Sequence, residues 1–81
     1  MKIDNFKMTD VKGVNALDWE FFATIDEKPL WGKKKTRQIR KEFAGFWHYV
    51  DTGKFTPGLT VNTLERAWEA QNGSIKKFKA Q

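Results

Sequence analysis

No cysteine occurs in this chain of 81 residues, so neither a disulfide nor a thiolate-bound metal can hold it together. A domain of this size buries only about 60% of the surface its unfolded chain exposes. Apolar packing must therefore supply the stability. The residues available for it are Phe6, Trp19, Phe21, Phe22, Trp31, Phe43, Phe46, Trp47, Tyr49, Phe55, Trp68 and Phe78. An aromatic fraction of 15% with two Pro and six Gly marks a folding chain rather than a disordered one. The length predicts one small domain over residues 1–81.

Hydrophobic spacing organises the chain. Residues 1–13 carry isolated Ile3, Phe6, Met8 and Val11 and read as a loose arm or a short edge strand. Over residues 16–27, Leu17, Trp19, Phe21, Ala23 and Ile25 alternate with mostly polar neighbours, the pattern of a half-buried strand. A helix over the same residues, capped by Asn15 and stopped by Pro29, splits the apolar set between two faces and is the alternative. In residues 34–51, Ile39, Phe43, Phe46, Trp47 and Val50 fall on one side of a helix at about 100° per residue. Asp51-Thr52-Gly53 supplies its stop. A β-hairpin over residues 46–57, turning at Asp51–Gly53, competes with that helix for its last turns. Residues 61–72 read as another helix, with Val61, Leu64, Ala67, Trp68 and Gln71 on one face and Thr60 or Asn62 as cap. Residues 74–81 form a basic tail in which Phe78 can dock. The expected fold is α+β: a short N-terminal strand or hairpin packed on two helices. An all-α three-helix domain is the alternative.

The formal charge of +5 is unevenly placed. Residues 1–32 carry four Lys against six Asp and Glu; residues 33–54 carry seven Lys and Arg against two acids; residues 55–81 carry four against two. One central segment thus accounts for the excess, and such asymmetry points to an anionic partner. On the expected helix, Lys33, Lys34, Arg37, Arg40, Lys41 and His48 cluster between about 100° and 220° from Ile39, opposite the apolar stripe. Lys33, Lys34 and Lys35 would oppose the helix dipole there, a cost that bound phosphates would relieve. The expected function is non-catalytic binding of nucleic acid, DNA or RNA. Lys33, Lys34, Arg37, Arg40 and Lys41 would contact phosphates, with Lys54, Lys76, Lys77 and Lys79 as auxiliaries. Trp31 and Phe55 would either stack on exposed bases or anchor loops. The alternative is a protein-binding module, an inhibitor or accessory subunit, that docks an acidic partner surface through Phe22, Trp31 or Tyr49.

The chemistry-bearing residues are sparse. The chain has one His (His48), one Tyr (Tyr49) and one Ser (Ser74). Ser74 falls in the expected tail, without the rigid support a nucleophilic triad needs. Asp18/Glu20 and Asp26/Glu27 have no metal-ligand spacing, and Gly53-Lys54 lacks the rest of a phosphate loop. No enzyme, metal or cofactor is expected. Met1 to Asn5 lack a signal peptide's apolar region, and no apolar run approaches about 18 residues, so the expected setting is cytoplasmic with no membrane partner.

Leu17-Asp18-Trp19, Thr36-Arg37-Gln38-Ile39-Arg40-Lys41-Glu42-Phe43 and Val61-Asn62 followed by Trp68 resemble the uncharacterised domain that often follows a SAP domain in bacterial proteins. The likeness spans about 50 residues. It departs where that domain has a Gly-Lys-Thr turn and a final Asp-Ala helix, because this chain has Asn72-Gly73-Ser74-Ile75-Lys76. SAP domains bind DNA, so the resemblance implies a nucleic-acid setting and no established activity.

Overall fold

The computed structural model describes residues 1–80. Four antiparallel strands form one sheet in chain order: β1 (Lys2–Lys12), β2 (Glu20–Lys28), β3 (Lys35–Glu42) and β4 (His48–Tyr49). Helix α1 (Gly58–Asn72) and the short α2 (Ile75–Ala80) follow. The helices lie against β1.

The alternation in residues 21–27 builds β2. Phe21, Ala23, Ile25 and Glu27 are buried, while Phe22, Thr24 and Asp26 remain partly exposed on the other face. The expected strand is therefore present, though it starts only at Glu20. Before it, Ala16–Asp18 make a single 3-10 turn and leave Leu17 exposed. Gly13 closes the β1–β2 connection at φ +123°; a Cβ there would lie 2.7 Å from the Asp18 carbonyl oxygen, so only glycine fits.

Residues 1–13 are no loose arm. They form an eleven-residue strand. Its inward residues Ile3, Phe6, Met8 and Val11 are spaced by three, two and three because the register with β2 shifts between Asp4 and Lys7 and again between Met8 and Asp10. Asn5 takes φ 55° at the first irregularity, a conformation that Asn tolerates better than most residues. The bulges break period two, which removes the usual strand signature.

The helix expected over residues 34–51 does not form, and with it the two-helix architecture and the three-helix alternative both fall. Residues 35–42 are β3, paired along its length with β2. A turn follows, and then β4. The supposed apolar stripe is not a burial face: Phe46 is 72% and Val50 44% exposed, whereas Ile39, Trp47 and Tyr49 are buried. Strand geometry explains this. Arg37, Ile39 and Lys41 point to the core side, where cross-strand pairing sets them opposite Ile25, Ala23 and Phe21. Arginine and lysine bury aliphatic stems while their charged ends find partners, so a strand with two inward cations has no apolar alternation to read. The competing hairpin describes the residues after it. Tyr49 N–H donates to the Lys54 carbonyl and Gly53 N–H to the Tyr49 carbonyl, each at 2.8 Å, and His48 bridges Phe55.

Helix α1 begins at Gly58, earlier than expected, after Pro57, and neither Thr60 nor Asn62 caps it. Val61 is fully buried, with Leu64 and Trp68 packed on the same core. Residues 75–80 of the expected tail are helical instead: Ile75 is buried, and Phe78 meets Trp68 edge to face at 5.9 Å. Gln81 lies outside the described residues.

Trp47 ties the two layers together. It is 3% exposed, packs edge to face on Phe6 at 5.4 Å and donates its indole N–H to Glu65 of α1 at 2.8 Å. Trp47→Ala should cost about 3–5 kcal/mol. In a domain this small that abolishes the cooperative thermal transition, and circular dichroism melts check it.

Candidate nucleic-acid interface

The central cations do not share a face, because adjacent positions of a strand point to opposite sides. Arg37 is directed to the core side. Its guanidinium lies 3.7 Å from the Tyr49 ring centre, 2.6 Å from Asp51 and 3.6 Å from the buried carboxylate of Glu27. Lys41 is directed the same way and meets Glu65 at 3.2 Å, over the rings of Trp47 and Phe21. Arg40 points to the opposite side and reaches Glu42 at 3.1 Å and Glu20 at 3.5 Å. Arg40 also donates to His48 Nε2 at 3.1 Å, while His48 Nδ1 lies 3.3 Å from the Phe46 carbonyl. An arginine can only donate, so this geometry fits the Nδ1–H tautomer. Three of the expected phosphate contacts are thus engaged within the protein. Three of their partners, Glu27, Glu65 and Glu20, lie outside residues 33–54, which is why charge counting along the segment overstated its free charge.

Among the remaining cations of the expected site, Lys33 and Lys34 lie at one end of the sheet and Lys76 and Lys77 towards the other. Lys33 and Lys34 are exposed in the β2–β3 connection, and Lys35 follows them at the start of β3. Lys2 and Lys28 are cross-strand partners at the same end. None of Lys28, Lys33, Lys34 or Lys35 makes an ion pair among the described residues. Lys76 and Lys77 are exposed on α2, which is anchored to the far end of β1 by the Lys79 ammonium donating to the Val11 carbonyl at 2.9 Å. At about 3.3 Å per residue, the two ends of β1 are about 30 Å apart. Lys54 is exposed in the turn after β4. The expected auxiliary residues Lys76, Lys77 and Lys79 therefore do not extend a single patch with Lys33 and Lys34.

The hairpin end has a distinct composition. From Pro29 to Thr36 there is no acidic residue. Leu30 is 87% and Trp31 89% exposed. Gly32 turns the chain at φ +100° with nothing within 4 Å of a Cβ position. The nearby carboxylates are occupied: Asp26 accepts from Thr36 at 2.6 Å and Asn5 at 2.8 Å, and Glu27 is buried. Those hydrogen bonds, with a smaller contribution from the charge of Lys34, hold the Asp26 carboxyl below the usual carboxylate range. Lys2 and Lys28 are the candidate residues that sequence spacing missed. Lys2 and Lys28 become neighbours only when β1 pairs with β2.

The expected anchors also separate. Tyr49 is buried, and Phe22 is half-buried with the Lys12 ammonium 5.1 Å from its ring centre. Phe55 is 73% exposed and meets exposed Phe46 edge to face. Of Phe22, Trp31 and Tyr49, only Trp31 stands fully outside the core.

Comparison with protein-family models, with curated proteins and with solved structures finds no match. Among the described residues no helix is long and apolar enough to cross a membrane.

Two predictions follow from the buried charges. Burial first, and the Glu27 carboxylate second, push the Tyr49 hydroxyl up to about 12. Among the described residues, neither Tyr49 Oη nor Glu27 Oε1 has a hydrogen-bond partner within 3.5 Å. The ordinary tyrosine value is about 10, so the unfolded chain ionises first. Stability is then complete below about pH 10 and declines as the pH rises towards 12. Tyr49→Phe should flatten that alkaline decline in urea unfolding measured at several pH values. Second, Arg37→Glu with Lys41→Glu should destabilise the domain by about 3–5 kcal/mol or more, because each leaves like charges facing each other in a buried setting. The melting temperature checks it.

Proposed function

We propose that the protein binds nucleic acid, without catalysing a reaction, through the cationic hairpin end of its sheet. The observation that carries this reading is the concentration of unpaired lysines, Lys28, Lys33, Lys34 and Lys35, around the exposed β2–β3 connection. Lys2 opposite Lys28 adds to it, since like charges directly across a strand pair are destabilising. Phosphates would offset that repulsion. Arg37, Arg40 and Lys41 hold the scaffold instead, and Lys54, Lys76 and Lys77 lend long-range attraction. The resemblance to the SAP-associated domain points to the same setting. A cysteine-free chain suits the reducing cytoplasm, which we take as its compartment.

A second reading has its own observation. Phe46 and Phe55, both exposed, line an apolar hollow with Trp47 and Gly58, close to exposed Leu59. Such a shelf suits a protein partner, and the module would then be an inhibitor or accessory subunit. Salt separates the two readings, because phosphate contacts weaken steeply with salt and an apolar interface does not.

Fluorescence anisotropy with labelled duplex and single-stranded DNA at two salt concentrations provides the test. Lys33→Glu/Lys34→Glu/Lys35→Glu should weaken binding at least about tenfold and reduce the slope of log K against log salt by about 2–3. The melting temperature should change little, because these side chains are exposed. Absence of binding by the unaltered protein at low salt, or equal binding by the triple variant, refutes the reading.

A further inference from the structure

Trp31 is the most exposed aromatic residue of the chain, at 89%. It belongs to none of the aromatic pairs or cation–π contacts among the described residues. Every other tryptophan is drawn into the core. Trp47 is buried, and Trp19 and Trp68 pack against the core. Leaving an indole in water forfeits the burial that a cysteine-free domain of this size depends on. The tip of the hairpin gives it no surface to fold onto, and Gly32 makes the turn with open space around it.

The neighbours of Trp31 define what it can recognise. Lys33, Lys34 and Lys35 lie two to four residues away, and no carboxylate intervenes. An indole presents a flat apolar face and a single N–H donor. In a duplex, base faces are covered by their stacking neighbours and only the edges are accessible. In an unpaired strand the faces are open, and an aromatic side chain beside lysines engages base and phosphate together. From this juxtaposition we infer that the ligand is single-stranded nucleic acid, with Trp31 stacking on an unpaired base while Lys33–Lys35 hold the adjoining phosphates. This rests on the reading of the hairpin end as the nucleic-acid contact.

The experiment compares a labelled oligothymidylate of about 12 nucleotides with a duplex of equal phosphate number, by anisotropy at two salt concentrations. The proteins are the unaltered chain, Trp31→Ala, Trp31→Phe and Lys33→Glu/Lys34→Glu/Lys35→Glu, each with a melting curve. The single strand is expected to bind more tightly than the duplex. Trp31→Ala should weaken single-strand binding by about 5- to 150-fold while leaving the salt slope and duplex affinity unchanged, and Trp31→Phe should retain most of the affinity. Equal affinity for duplex and single strand, or unchanged single-strand binding by Trp31→Ala, overturns the inference. Loss of binding in the lysine variant with none in Trp31→Ala overturns the stacking alone and leaves the proposed function standing. No binding of either oligonucleotide by the unaltered protein overturns both.

Discussion

Arg37 and Lys41 face the core from β3, and the packing of the whole domain depends on how their charges are matched. A cation directed into a protein interior costs several kcal/mol unless it is paired and hydrogen-bonded. Here the pairs come from three places. Glu27 belongs to β2, Asp51 to the turn after β4, and Glu65 to α1. Each ion pair therefore joins β3 to another part of the chain. Glu65 has a second partner, because it also accepts from the indole of Trp47. The helix, the central strand and the aromatic core meet at that one carboxylate.

This arrangement also decides where free charge remains. Once Arg37, Arg40 and Lys41 have internal partners, the basic segment is neutralised at its centre and cationic at its hairpin end. The exposed lysines of the β2–β3 connection then stand beside Trp31 and Leu30, both almost fully exposed. Stability and the proposed binding thus draw on different parts of one run of residues. The strand portion is used inwardly and the connection outwardly, so changes in the two parts should separate folding from binding.

Legibility in the sequence followed the regularity of each element. The alternation Phe21-Ala23-Ile25 announced β2, and Val61, Leu64 and Trp68 announced α1. Strand β1 was obscured by its bulges, which shift the inward residues off period two at Asn5 and Thr9. Strand β3 was obscured because its inward neighbours of Ile39 are cations. Their stems pack like apolar side chains, yet they count as polar in any pattern of hydrophobicity. The helical spacing of Ile39, Phe43, Phe46, Trp47 and Val50 was coincidental: strand, turn and hairpin carry these residues to different environments, with Phe46 exposed and Trp47 buried. Lys33 and Lys34 remain in the candidate site because a loop exposes them under either fold. Arg37, Arg40 and Lys41 leave it because carboxylates of the domain already pair with each of them.

The amino-acid sequence by itself determined that stability must come from aromatic and aliphatic packing, that α1 forms, and that positive charge is concentrated after residue 32; for residues 16–27 it favoured a strand but left a helix open. Those properties are local or compositional, and no long-range contact is needed to read them. Only the tertiary structure decided that residues 35–42 join a sheet, that Lys2 lies opposite Lys28, and which cations remain unpaired. The reason is physical. A strand gains its hydrogen bonds, and a buried cation its counter-charge, from residues distant along the chain. The state of each is set by partners that the local pattern does not contain.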